Sequence, residues 1–150
     1  MDETQGRFII LLKQEIAALE ELHVLLKNEL LALKERDSDQ VSLMAKQKNE
    51  LLNKVGMLDK QRQLYIEDDT HLIYTDNVFS ENINILSNKI ETCLDKCRHQ
   101  NNINGGVIEM SMLFNKKILD IVCGNDEKDL VYSAEGKNST HNYQHSLARV

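Results

Sequence analysis

Proline is absent from the 150-residue chain, and so is tryptophan. Proline breaks helix interiors and punctuates turns, so a chain without it fits a few long helices with few connections. Aromatic residues make up only 5% of the chain, against 41% hydrophobic residues overall. Any core must therefore be aliphatic, built from Leu, Ile, Val and Met. Long apolar runs are missing too: Phe8 to Leu12 is five residues, against the roughly 18 a membrane-spanning helix needs. The start, Met-Asp-Glu, lacks the basic residues and long apolar stretch of a signal peptide. Three cysteines, an odd number, do not make the disulfide framework of a secreted protein. A cytoplasmic protein is expected. A net positive charge is also lacking, since 24 acidic residues outnumber 18 basic ones. The formal net charge is −6, the wrong sign for the electrostatic footprint of a nucleic-acid binder. The length suits one domain.

What is present is helical periodicity. Leu12, Ile16, Leu19, His23, Leu26, Leu30 and Leu33 recur at alternating steps of 4 and 3, the seam of a coiled-coil-like helix. Leu22, Leu25 and Leu31 widen that stripe. A helix of roughly 45 Å is expected from about Gln5 to Lys34. Charged residues from Lys34 to Asp39 interrupt the pattern, and Asp37 followed by Gln40 has capping-box spacing. A second helix should start near Ser38 and run to about Asp68. Its seam is Val41, Met44, Lys48, Leu51, Val55, Leu58, Arg62 and Tyr65, with Lys48 and Arg62 extending their charged tips out of it. Two long helices of matched length with a short joint make an antiparallel hairpin, residues 5–68. The wide stripes permit either a four-helix bundle or a homodimer of hairpins.

A connector near 69–77 precedes a third helix carrying Phe79, Ile83, Leu86, Ile90, Cys93 or Leu94, and Cys97. The polar run His99 to Asn104 is expected to end it, with Gly105 and Gly106 as the turn. A fourth helix should follow, from about Val107 to Cys123, stopped by Gly124. The expected architecture is all-α: a helical-bundle domain over 1–124, with the third and fourth helices within 78–123, then a flexible polar tail over 125–150.

Sites for chemistry are hard to find. Cys93, Cys97, Cys123 and His99 could be imagined around a metal ion, but cysteines one turn apart on a core stripe read as plain buried thiols. His23 sits in a leucine-rich seam, a place for a packed or edge-tilted imidazole. His141 and His145 stand in the tail with no partner pattern, and the sequon Asn138-Ser139-Thr140 has no role in the cytoplasm. No phosphate loop, nucleophile elbow or defensible carboxylate pair occurs, and the many acids read as a solvated helix face. No cofactor and no enzymatic activity are expected.

The expected fourth helix is the informative one. At 100° per residue, Val107, Met110, Phe114, Ile118 and Ile121 share one face, and Ile108, Met112, Leu119 and Val122 an adjacent one. Only Glu109, Lys116, Lys117 and Asp120 form a polar strip. The apolar arc spans roughly 220°, where a helix packed on one side needs a little over 100°. Either the helix is buried between neighbours, or the second face is left for a partner helix. Flexible methionines suit such adaptable surfaces, and an amphipathic partner helix would dock in a groove.

Three segments together resemble the FlgN family of flagellar export chaperones. They are the leucine-rich helix ending Leu30-Leu31-Ala32-Leu33-Lys34-Glu35-Arg36-Asp37; the next helix, with Gln47-Lys48-Asn49-Glu50-Leu51-Leu52 and Leu58-Asp59-Lys60-Gln61-Arg62; and Asn104-Gly105-Gly106, the amphipathic stretch to Gly124, then Leu130 to Gly136. The resemblance implies a chaperone for the hook–filament junction proteins FlgK and FlgL, which it keeps from premature assembly and delivers to the type III export gate. It implies client binding through Val107, Met110, Met112, Phe114, Ile118, Leu119, Ile121 and Val122. It also implies docking to the gate protein FlhA through Tyr132 and Gly136, a Tyr-x-x-x-Gly setting. The family often has an acidic residue after that tyrosine, where this chain has Ser133. A FliT-like chaperone and a structural coiled-coil adaptor are the alternatives. The length of the first hairpin and the tail tyrosine favour the FlgN type.

Overall fold

The computed structural model describes residues 3–68 and 77–124. They form three helices and, among the described residues, no strand: α1 (Glu3–Glu35), α2 (Ser38–Asp68) and α3 (Asn77–Cys123). The chain divides into two compact units, Met1–Asn102 and Ile103–Val150. The connector expected at 69–77 and the tail expected at 125–150 lie outside the described residues, save Asn77, which opens α3.

The hairpin forms where the periodicity puts it. Glu3 lies in the first turn of α1 and Lys34 in its last, each opposite in sign to the helix-dipole end it sits on. The joint is two residues long. Arg36 takes a left-handed conformation, φ 57°. Its N–H donates to the Leu33 carbonyl (3.2 Å), and the Asp37 N–H donates to the Ala32 carbonyl (3.1 Å). These two bonds are the Schellman closure of a helix end. Asp37 then starts α2. Its carboxylate accepts the Gln40 N–H (3.2 Å), and its own carbonyl accepts the Val41 N–H (3.0 Å). One aspartate thus closes one helix and caps the next. Asp37→Ala is expected to lower stability by about 1 kcal/mol, the usual worth of an N-cap, read as a shifted urea midpoint at unchanged slope.

In the first unit, α1 is covered by α2 and by the part of α3 up to Asn102. Phe8, Leu12, Ile16 and Leu19 of α1 join Phe79, Ile90 and Cys93 of α3 in one buried cluster, flanked by Val55 and Tyr65 of α2. Leu22, Leu26 and Cys97 form a second cluster, against which Leu51 packs. Because helices lie on two sides of α1, its buried arc is wider than a single seam. His23, Leu30 and Leu33 are only half-buried, while Leu22 and Glu29 take the central positions. The Phe8 and Tyr65 rings meet with centroids 5.9 Å apart, a favourable tilted pair.

Two charged pairs pin the hairpin. Arg62 Nε donates to Glu15 Oε2 (3.0 Å), and Arg62 also pairs with Asp59. Lys48 Nζ lies 3.3 Å from Glu29 Oε2 and donates to Asn101 Oδ1 of α3 (3.3 Å). The expectation that Lys48 and Arg62 reach out of the seam is corrected: they turn in, because each finds a buried carboxylate opposite. Nor are Glu15 and Glu29 part of a solvated face, since both are buried. The two pairs are 14 residues apart on either helix, in opposite chain directions, so they fix one antiparallel register. Burial pushes the Glu15 carboxyl above its ordinary range, with Arg62 acting against that shift.

The third and fourth helices expected over 78–123 are one helix. Gly105 and Gly106 do not break it. A helical glycine costs about 1 kcal/mol relative to alanine, which weakens a helix without ending it. A glycine stops a helix when it adopts positive φ, and of the described glycines only Gly124 does, at 70°. Its N–H donates to the Ile121 carbonyl (3.3 Å), the stop expected there.

Candidate functional site

Two of the three cysteines of α3, Cys93 and Cys97, act as packing. Cys93 and Cys97 are buried, and the Cys97 thiol donates to the Leu19 carbonyl of α1 (3.3 Å). Burial, with Cys93 adding, pushes the Cys97 thiol further up, so it stays protonated and inert. Cys123 is exposed, and no cluster of potential metal ligands occurs among the described residues. His23 stands half-buried at the seam edge. Its burial, then Lys27 and Lys96, push its pKa below the ordinary value.

The second unit presents the opposite of a packed helix. Between Met110 and Val122, eight of thirteen positions are large, exposed apolar side chains: Met110, Met112, Leu113, Phe114, Ile118, Leu119, Ile121 and Val122. Met110 is 73% exposed, Leu119 61% and Val122 77%. Ile103 is exposed as well, while Val107 and Ile108 are half-buried. Meanwhile Glu109, Lys116 and Asp120 on the polar strip are only half-exposed. The exposed large apolar residues of α1 and α2 also number eight, but they are spread from Ile10 to Ile66, which is ordinary for a protein surface. A contiguous apolar surface is not ordinary, and such a patch marks an interaction site.

Of the eight residues expected to bind a client, seven are exposed and Val107 is half-buried. They lie along one continuous helix, so their wheel positions hold. Sequence reasoning missed two. Ile103 was placed in the polar run expected to end the third helix, but on an unbroken α3 it continues the stripe Val107, Met110, Phe114, Ile118 and Ile121. Leu113 falls on the polar side of the wheel and had no signal. Tyr132 and Gly136 lie outside the described residues.

A family model described as FlgN protein matches residues 1–140. The chain belongs to the FlgN family. The match takes in the hairpin, all of α3 and the segment bearing Tyr132 and Gly136. No curated protein and no solved structure matches the chain. FlgN proteins are flagellar export chaperones. As a FlgN-family member the chain is a flagellar export chaperone and binds flagellar export substrates. No helix of the described residues is long and apolar enough to cross a membrane.

Proposed function

We propose that this FlgN-family chain works in the cytoplasm as the chaperone of the hook–filament junction proteins FlgK and FlgL. It holds a terminal amphipathic helix of the client against α3, at Val107, Met110, Met112, Phe114, Ile118, Leu119, Ile121 and Val122. The observation that carries this reading is the run of exposed apolar side chains from Met110 to Val122. An unfolded client with an apolar face exposed would aggregate or assemble early, and covering that face prevents both. Ordering a disordered segment costs several kcal/mol, so affinity stays modest. Modest affinity suits a client that must later be released. The loaded chaperone then docks to FlhA through Tyr132, with Gly136 letting the chain turn away after the contact.

The test has two arms. Purified FlgK and FlgL should each form a complex with the chain, as seen by co-purification and titration calorimetry. Failure of both to bind rejects the client assignment. Tyr132→Ala should leave helicity and client affinity unchanged, while affinity of the loaded chaperone for FlhA falls about tenfold or more. That is the loss of one aromatic anchor at about 1.4 kcal/mol. Equal FlhA binding by both proteins removes Tyr132 from the mechanism.

A further inference from the structure

The apolar face of α3 carries two thioethers, Met110 and Met112. Its other large exposed side chains are Leu, Ile, Val and Phe, which a hydroperoxide leaves alone. Met110 is 73% exposed and Met112 40%, so a small oxidant reaches both. Two residues apart, they point about 200° apart at about 100° per residue, and so stand near opposite edges of the apolar arc. A helix docked over Phe114 and Ile118 runs beside Met110, and one docked over Ile108 and Leu119 runs beside Met112. The chain also holds its own reference. Met57 of α2 is 64% exposed but lies outside this face, and Met44 is half-buried. Cys93 and Cys97 are buried, which leaves Cys123 as the exposed thiol.

We infer that Met110 and Met112 are oxidation sites through which a hydroperoxide switches off client capture at the α3 face. The switch rests on the client reading above. In the step itself the thioether sulfur attacks the terminal oxygen of hydrogen peroxide and the O–O bond breaks. The departing hydroxide takes the proton of the transferred oxygen and leaves as water. The sulfur is oxidised to the sulfoxide, and the peroxide is reduced. An apolar, flexible side chain becomes a polar one. In the free chain the new oxygen is hydrated, so the helix is undisturbed. Against an apolar client helix it loses that water with no donor to replace it. Reduction by a dithiol, which becomes a disulfide while the oxygen leaves as water, restores the thioether. The face is therefore closed by peroxide and reopened by thiols.

The experiment oxidises the full chain partially with hydrogen peroxide and passes it over immobilised terminal segment of FlgK. Mass spectrometry then compares the sulfoxide content of each methionine in the bound and unbound fractions. Sulfoxide at Met110 and Met112 is expected to be depleted about tenfold or more among bound molecules, with Met57 sulfoxide equal in both fractions. The circular dichroism spectrum should not change on oxidation. In a second arm, Met110→Leu/Met112→Leu is compared with itself before and after peroxide, and its affinity should stay the same. Equal sulfoxide content at Met110 and Met112 in both fractions overturns the inference. Depletion at Met57 to the same degree also overturns it, since the loss would then be general damage. So does a loss of affinity in the treated leucine variant, which keeps Cys123 and would assign the sensitivity to that thiol. Failure of the untreated wild type to bind the segment rejects the client reading and the switch with it, whereas binding that survives full oxidation rejects the switch alone.

Discussion

Replacing Leu119 or Met112 with glutamate is expected to abolish binding of a FlgK-type client while the helical content survives. Both side chains are exposed in the free protein, Leu119 at 61% and Met112 at 40%. A carboxylate at either place stays hydrated in the unbound chain, and glutamate is a good helix former. The far-UV spectrum and urea midpoint should therefore hardly move. In the complex the same carboxylate would be pressed against an apolar helix. Burying an unpaired charge is far costlier than losing a methylene contact, and even about 3 kcal/mol would weaken binding more than a hundredfold. Titration calorimetry with the client's terminal segment is the measurement. Loss of structure in both variants would mean the second face of α3 is core. Undiminished binding would put the client elsewhere on the molecule.

The reasons some features were legible and others not are physical. The α1–α2 joint was legible because a capping aspartate is a local device: Asp37 and Gln40 meet whatever the rest of the chain does. The stop at Gly124 was legible for the same reason. Gly105 and Gly106 misled, since glycine permits a turn without imposing one. With no residue there forced to positive φ, the helix runs through. That error hid Ile103 but left the wheel of the downstream residues intact, so the exposed face was recognised. Glu15 and Glu29 were not legible one helix at a time. An acid on a helix reads as solvated until the opposite helix offers a cation at the same interval. The clue lay in Lys48 and Arg62, seam positions separated by the same 14 residues. Leu113 had no such clue.

Arg62→Ala is expected to cost the hairpin a large part of its stability. Glu15 is 2% exposed and Arg62 Nε is its hydrogen-bonded counter-charge, at 3.0 Å. Removing one member of a buried pair leaves the other desolvated and uncompensated, typically at 3–5 kcal/mol. Arg62 keeps a quarter of its side chain in water, so the lower end, about 3 kcal/mol near pH 7, is expected. The pH dependence identifies the cause. Burial already raises the Glu15 pKa above its ordinary value of 4.5, and Arg62 is the largest influence lowering it. Without Arg62 the folded-state pKa rises further. A carboxyl whose folded pKa exceeds its unfolded one binds its proton more tightly when folded, so stability falls as pH rises through that interval. Below the unfolded value Glu15 is neutral in both states and this part of the penalty disappears. The stability difference between wild type and Arg62→Ala should therefore be smallest near pH 4 and grow toward pH 7. Adding Glu15→Gln to Arg62→Ala removes the buried charge, so the double variant should be more stable than Arg62→Ala alone at pH 7. Urea unfolding of the three proteins at several pH values measures both effects. A penalty that does not change with pH, together with no rescue by glutamine, would assign the role of Arg62 to packing alone.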